Sequence, residues 1–240
     1  MIEPLAQFKV KVLIPLSLGG FDISFTNVSL FMVILVALSL MLLLYSVRRR
    51  SVVPTRLQAL AEKTYQFVLS MVEDTLGSAG RAYIPLLFSI FVFILMGNLI
   101  GLMPYAYTVT SQIIVNGTLA LVVIAVVILT GFMHHGLGFF RVFFPSGVPI
   151  FLAPLLIPIE IISFIARPIS LSLRLFVNMV AGHCILKIFA SFAVMAGGLG
   201  VIPFILNIGF IGFEVLVAVV QAYIFTILSC IYLKDVLSLH

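Results

Sequence analysis

Long apolar runs dominate the pattern of the chain, and polar residues gather mostly at their ends. Residues 28–47 form a run long enough to cross about 30 Å of hydrocarbon as a helix; it stops at Arg48, Arg49 and Arg50, with Arg56 just beyond. Residues 55–76 follow a different rhythm. At 100° per residue, Leu57, Leu60, Ala61, Thr64, Phe67, Val68, Met71 and Val72 share one face, and Gln58, Glu62, Lys63, Gln66, Ser70, Glu73 and Asp74 the other. That pattern predicts an amphipathic helix lying at the inner membrane surface, with Pro54 near its start and Gly77 near its end as punctuation. Residues 85–133 read as a two-helix hairpin, with spans over 85–103 and 113–133 joined by the uncharged "PYAYTVTSQ". From 150 to 237 the chain is apolar apart from the break "AGGLG" at 196–200, which predicts a helical hairpin. Its second arm would be about 54 Å long at 1.5 Å per residue, too long to stand upright in the bilayer, so the hairpin is expected to be steeply tilted. Pro154, Pro158 and Pro168 either kink its first arm or divide it.

Composition sharpens the class. The chain is 63% hydrophobic and 9% charged over 240 residues, with a mean hydropathy of +1.32, against about 25% charged residues in soluble domains. The expected fold is an all-α polytopic membrane protein forming one integral membrane domain over 1–240. It has one to three upright spans, the interfacial amphipathic helix and the long tilted C-terminal hairpin. No stretch between the runs is long enough to bury a separate soluble core.

The net charge of +5 is spread over the ends of the apolar runs, where it acts as a topology signal and offers no face for nucleic acid. The arginines after residue 47 place that end inside and the N-terminus outside. The uncharged 104–112 connection then falls outside, and the connection carrying His134, His135 and Arg141 inside, as does the C-terminus. The first twenty residues contain Glu3, Pro4, Lys9, Lys11 and Pro15, which is no pattern for a cleavable signal. Cys184 and Cys230 lie within apolar runs and read as buried free thiols. His134 and His135 are neighbours that point about 100° apart on a helix and lack further ligands, so no metal is expected. No cofactor is expected either, and no GxxxxGK[ST] phosphate loop is present. The glycines of "GNLIG" (97–101) are spaced for close helix packing, and Asn98 between them is read as a packing residue.

The polar residues inside the apolar runs carry the chemistry. An ionised side chain at membrane depth costs at least about 2.5–3.5 kcal/mol, so each is a functional candidate by default. On one helix, Glu160, Ser163, Arg167, Ser170, Arg174 and Asn178 fall within a stripe about 80° wide. On the second arm Asn207, Glu214 and Gln221 repeat every seventh residue and stay nearly in line. A purely structural interhelical network is the alternative for both sets. Folding the hairpin about residue 199 brings His183 to the level of Glu214, and Arg174 and Asn178 to the level of Gln221. His183 lies on the far side of a straight helix from Arg174, so a direct pairing with Glu214 needs curvature or a kink. An imidazole and a carboxylate suit a proton relay, whereas arginine stays charged and blocks proton hopping while attracting an anion. A path that stops halfway needs a mobile acidic group supplied from elsewhere.

The segment "RPISLSLRLFVNMVAGH" (167–183) resembles the arginine-bearing segment of subunit a of the rotary F-type ATP synthase, "GFEVLVAVVQAYIFTILSCIYLKD" (212–235) that family's last helix, and "GNLIGLMPY" (97–105) an earlier span. His183 with Glu214 is similar to the mitochondrial and alphaproteobacterial arrangement. The resemblance implies that Arg174 faces a rotor ring of c subunits and keeps their carboxylate ionised. It implies an outer access path lined by Asn178, His183, Glu214 and Gln221, and an inner exit path along Glu160, Ser170 and Ser163. Arg167 is divided between path and structure, and Lys187 and Asp235 are read as boundary or interhelical residues. The implied partners are the c ring, peripheral-stalk b-type subunits, the remaining ATP synthase subunits and the lipid of an energy-transducing inner membrane, bacterial or mitochondrial, with one copy per complex. The chain would not be catalytic by itself. A self-contained secondary transporter predicts broken helices repeated in the two halves, and a mere scaffold leaves the aligned stripe without a purpose.

Overall fold

The computed structural model describes residues 8–15, 17–18, 21–22, 24–48, 54–103, 106–136, 138–139 and 153–237. Among them the long helices are α1 (Asn27–Arg48), α2 (Arg56–Leu76), α3 (Ile84–Gly101), α4 (Ile113–His135), α5 (Ala153–Met195) and α6 (Val201–Leu237). Five helical stretches are long and apolar enough to cross a membrane, with α2 and α3 joined into one run by a 3-10 turn at Gly77–Tyr83. The chain is an all-α polytopic membrane protein.

Local chemistry sets the helix boundaries. Thr55 accepts a hydrogen bond from the Gln58 amide at 3.4 Å and so caps α2 one residue after Pro54. Gly77 ends α2 in a left-handed conformation, φ +66°. The two histidines predicted for a loop instead form the last turn of α4, and Arg141 lies outside the described residues. Both Pro158 and Pro168 sit inside α5, which runs unbroken for 43 residues; each leaves one carbonyl of the preceding turn without its helical donor. The break after α5 is a 3-10 turn at Gly197–Gly200. Gly197 has φ +54°, and a Cβ on Gly200 would lie 2.0 Å from the Ala193 carbonyl oxygen, so only glycine fits where the chain reverses.

The N-terminal region carries pairings that the hydrophobic pattern did not announce. β1 (Val12–Ile14) pairs antiparallel with β4 (Phe25–Thr26), and β2 (Ser17–Leu18) with β3 (Phe21–Asp22). Asn27 ties this hairpin to α1: its Oδ1 accepts from the Lys11 and Val28 amides, both at 3.0 Å, and its Nδ2 donates to the Lys9 carbonyl.

The described chain divides into two compact units. One comprises residues 1–63, 92–112 and 175–222. Here α3 approaches α1 at Gly97, where a Cβ would lie 3.0 Å from Leu35 Cδ1. Gly101 packs against Thr108 of the following connection, so the two glycines of "GNLIG" serve different neighbours. Asn98 is fully buried; it donates to the Ala218 carbonyl at 3.3 Å and accepts from Thr110 Oγ1 at 2.8 Å. The packing residue is thus also a hydrogen-bonded tie between α3 and α6. Phe189 stacks on Phe210 at 5.0 Å across the α5–α6 reversal.

The other unit comprises residues 64–91, 113–174 and 223–240. In it α2 packs on α3 through Tyr65 with Phe88 and Phe67 with Phe91, and Val68, Met71 and Val72 are buried as the amphipathic pattern predicts. Leu57, Leu60 and Phe67, on the same face, are exposed on the chain's surface. Gln58, assigned to the polar face, is buried with its Nε2 on Glu62 Oε1 at 2.8 Å.

Candidate functional site

The first unit holds Glu214 and His183, which face different neighbours. Glu214 is 9% exposed, and neither carboxylate oxygen has a hydrogen-bond partner among the described residues. It fits there because residue 182 is glycine: a Cβ on Gly182 would lie 2.1 Å from Glu214 Oε1. The register folded about residue 199 expects His183 at this level, and the residue facing the carboxyl is its neighbour Gly182. His183 itself turns to a different partner, with Nε2 3.0 Å from Thr108 Oγ1. One helical step of 100° separates the two directions, which is why pairing by level alone does not give the contact.

His183 and Thr108 line a cavity of about 830 Å³ together with Tyr107, Gly101, Lys11 and Lys187. The Phe8 ring stands edge-on to the imidazole at 6.2 Å. Its carbonyl accepts from Tyr107 Oη at 3.0 Å, and Gln112 Nε2 donates to the same phenol oxygen. Burial pushes the Tyr107 phenol up from its ordinary value, partly offset by the Gln112 hydrogen bond, so it remains a donor. Lys187, read as a boundary residue, is half-buried on this cavity. Asn178 is half-buried and Gln221 buried in the same unit; Asn207 Oδ1 is buried without a partner among the described residues. Cys184 and Cys230 are free thiols, half-buried and buried.

The second unit holds the lower part of the stripe. Arg167 Nη1 donates to Asp235 Oδ2 at 2.8 Å, its Nη2 lies 3.9 Å from Glu160 Oε1, and its guanidinium sits 5.2 Å from the Tyr232 ring centroid. This cluster ties α5 to α6. Both charges of the Arg167–Asp235 pair are partly exposed, so Asp235→Asn is expected to cost about 1 kcal/mol. Thermal unfolding of the variant against the wild type measures it, and a loss of about 3 kcal/mol or more would mean that the pair behaves as a buried one.

Ser163 and Ser170 are exposed, and so is Arg174. Among the described residues Arg174 forms no ion pair, although it stands at the middle of the span Pro154–Met195. On the same face of α5, Ser170 and Val177 are exposed as well, Asn178 is half-buried and Leu171 is buried. The arginine therefore projects from the chain's own core. No group of three or more potential metal ligands occurs among the described residues.

Two polar clusters on long apolar helices, one around a buried carboxyl and imidazole and one ending at an outward arginine, define a multi-pass membrane protein with ionisable groups at membrane depth. The chain belongs to the ATP synthase A chain family, whose model matches residues 28–234. It is 51% identical over 239 residues to the ATP synthase subunit a of Rhizobium rhizogenes, covering 97% of this chain and 96% of the relative. It is 50% identical over 240 residues to ATP synthase subunit a 1 of Brucella anthropi, covering 97% and 96%, and 47% identical over 243 residues to the subunit a of Mesorhizobium japonicum, covering 98% and 96%.

Proposed function

We propose that this chain is the stator channel subunit of a rotary ATP synthase in a bacterial inner membrane, conducting protons through two offset half-channels. The observation that carries the reading is Arg174, a permanent cation at the middle of a long apolar span, exposed and with no ion-pair partner among the described residues. Leaving it against lipid costs at least about 2.5–3.5 kcal/mol, so the face it occupies calls for a partner that brings an anion. A ring of c subunits, each with a membrane carboxylate, supplies one.

A proton enters from the outer side past Asn178, His183, Glu214 and Gln221 and neutralises a ring carboxylate. It travels with the ring and leaves toward the inner side along Glu160, Ser163 and Ser170. Arg174 separates the two paths, because a guanidinium cannot hand on a proton and stabilises the ionised carboxylate opposite it. The entry residues fall in one compact unit, and the exit residues with Arg174 in the other. Each charge moved through the membrane potential yields about 2.3 kcal/mol per 100 mV, and several steps together drive synthesis in the soluble sector. One copy is expected per complex, beside the c ring, b-type peripheral-stalk subunits and the remaining ATP synthase subunits. The N-terminus lies outside and the C-terminus inside.

The test is ATP-driven acidification of vesicles carrying the assembled complex, with subunit copy number measured on the same preparation. Glu214→Gln keeps the shape and removes the titratable group; the acidification rate should fall by at least about 10²-fold, at the lower end of general acid–base contributions. An unchanged rate across a pH series would remove Glu214 from the path.

A further inference from the structure

We propose that Thr108 is a positioning residue of the entry path: its hydroxyl holds the Nε2–H of His183, so that the imidazole gains and loses its transported proton at Nδ1. The inference rests on the reading above for its transport consequence, and on geometry alone for the tautomer.

A threonine hydroxyl has one hydrogen to give and two lone pairs. Thr108 Oγ1 lies 3.3 Å from the Gly101 carbonyl oxygen and 3.0 Å from His183 Nε2. The carbonyl can only accept. It belongs to the last residue of α3, where the helical ladder ends, and Thr108 is its donor among the described residues. Turning the hydroxyl toward the imidazole would leave that carbonyl without a donor among the described residues, beside a threonine only 5% exposed, the costly arrangement for a buried polar group. The hydrogen therefore goes to Gly101, and the contact with His183 needs a hydrogen from the ring. Neutral His183 then carries its proton on Nε2. The imidazolium carries protons on both nitrogens, so the Thr108 bond persists in both charge states and Nδ1 alone changes.

The hydroxyl is fixed on several sides. A Cβ on Gly101 would lie 2.6 Å from Thr108 Cγ2 and 2.8 Å from its Oγ1, so glycine leaves room for the side chain to reach the carbonyl. Ser111 Oγ donates to the Thr108 carbonyl at 2.6 Å. Tyr107, next in sequence, is held on the Phe8 carbonyl, and the Phe8 ring closes against the imidazole. The other titratable groups around this site are Lys9, Lys11, Lys187 and Tyr107 on the cavity, and Glu214 on α6 facing Gly182.

The experiment is solid-state ¹⁵N NMR of the assembled complex labelled in histidine, with His183 assigned by the signals lost in His183→Asn. In the wild type, neutral His183 should show a protonated Nε2 and a bare Nδ1. Thr108→Val should release that preference and give mixed tautomers, Thr108→Ser should restore it, and vesicle acidification should fall severalfold in the valine variant and recover in the serine one. Gly101→Ala, which keeps the hydroxyl but crowds it from its place, is the second disturbing variant if Thr108→Val does not assemble. A protonated Nδ1 in the wild type, or an unchanged tautomer in the disturbed variants, overturns the proposal. Failure of the transport reading shows separately, as wild-type pumping in His183→Asn, and leaves the tautomer result standing.

Discussion

Arg174→Ala is expected to abolish ATP-driven proton pumping in an assembled complex. The side chain is the one guanidinium at the middle of the span Pro154–Met195, and it forms no ion pair among the described residues, whereas Arg167 a few turns away is engaged by Asp235 and Glu160. Removing Arg167 loosens a tie between helices; on the proposed reading, removing Arg174 takes away the barrier between entry and exit and the charge that keeps a passing carboxylate ionised. Arg174→Lys restores the rate only in part, because a compact ammonium can lose its proton in a dry site and lacks the planar fork. Vesicle acidification, with native gels to show an intact complex, decides it. Pumping at the wild-type rate in the alanine variant would reduce the stripe on α5 to packing and reopen the reading of a self-contained transporter.

The second large effect is expected at a residue with no chemistry of its own. Gly182→Ala puts a methyl group 2.1 Å from Glu214 Oε1, 2.9 Å from Cδ and 3.1 Å from Cγ. The end of a glutamate side chain is the most movable group nearby, so the carboxyl swings aside and the helices keep their places. The variant should therefore assemble at normal levels, yet pump at least about tenfold more slowly, as misplacement of a reacting group by about 1 Å does. Gly182→Val adds bulk that a side-chain rotation cannot absorb, and should lower the yield of complex as well. A full pumping rate in the alanine variant would show that the position of the Glu214 carboxyl between the helices is immaterial.

The long-range plan of the molecule was legible because its solvent is simple: a helix that crosses hydrocarbon must be apolar for about 20 residues. That is how the bounds of α1, α4 and α6 could be read within a residue or two, and how the glycine break marked the reversal before α6. Proline was ambiguous, since a helix interrupted at Pro158 and Pro168 reads the same as one that runs through them. The stripe from Glu160 to Asn178 could be aligned from spacing alone, and so could the level of Glu214. The direction in which His183 points could not. Its partner, Thr108, sits in a connection whose residues carry no charge and no period, and threonine is too common there to stand out. Gly182 left a better clue, because a glycine inside a helix costs about 1 kcal/mol against alanine and is retained where something approaches closely. The N-terminal strand pairs left none: they are two or three residues long, below what alternation can register.

The outward arginine also has a consequence for how the cell makes this protein. On the proposed reading, a newly inserted chain holds a bare cation against lipid, beside exposed Val177, until a partner covers that face. If that reading holds, such an orphan is expected to be recognised by membrane quality control, and surplus copies of the chain should be shorter-lived than assembled ones.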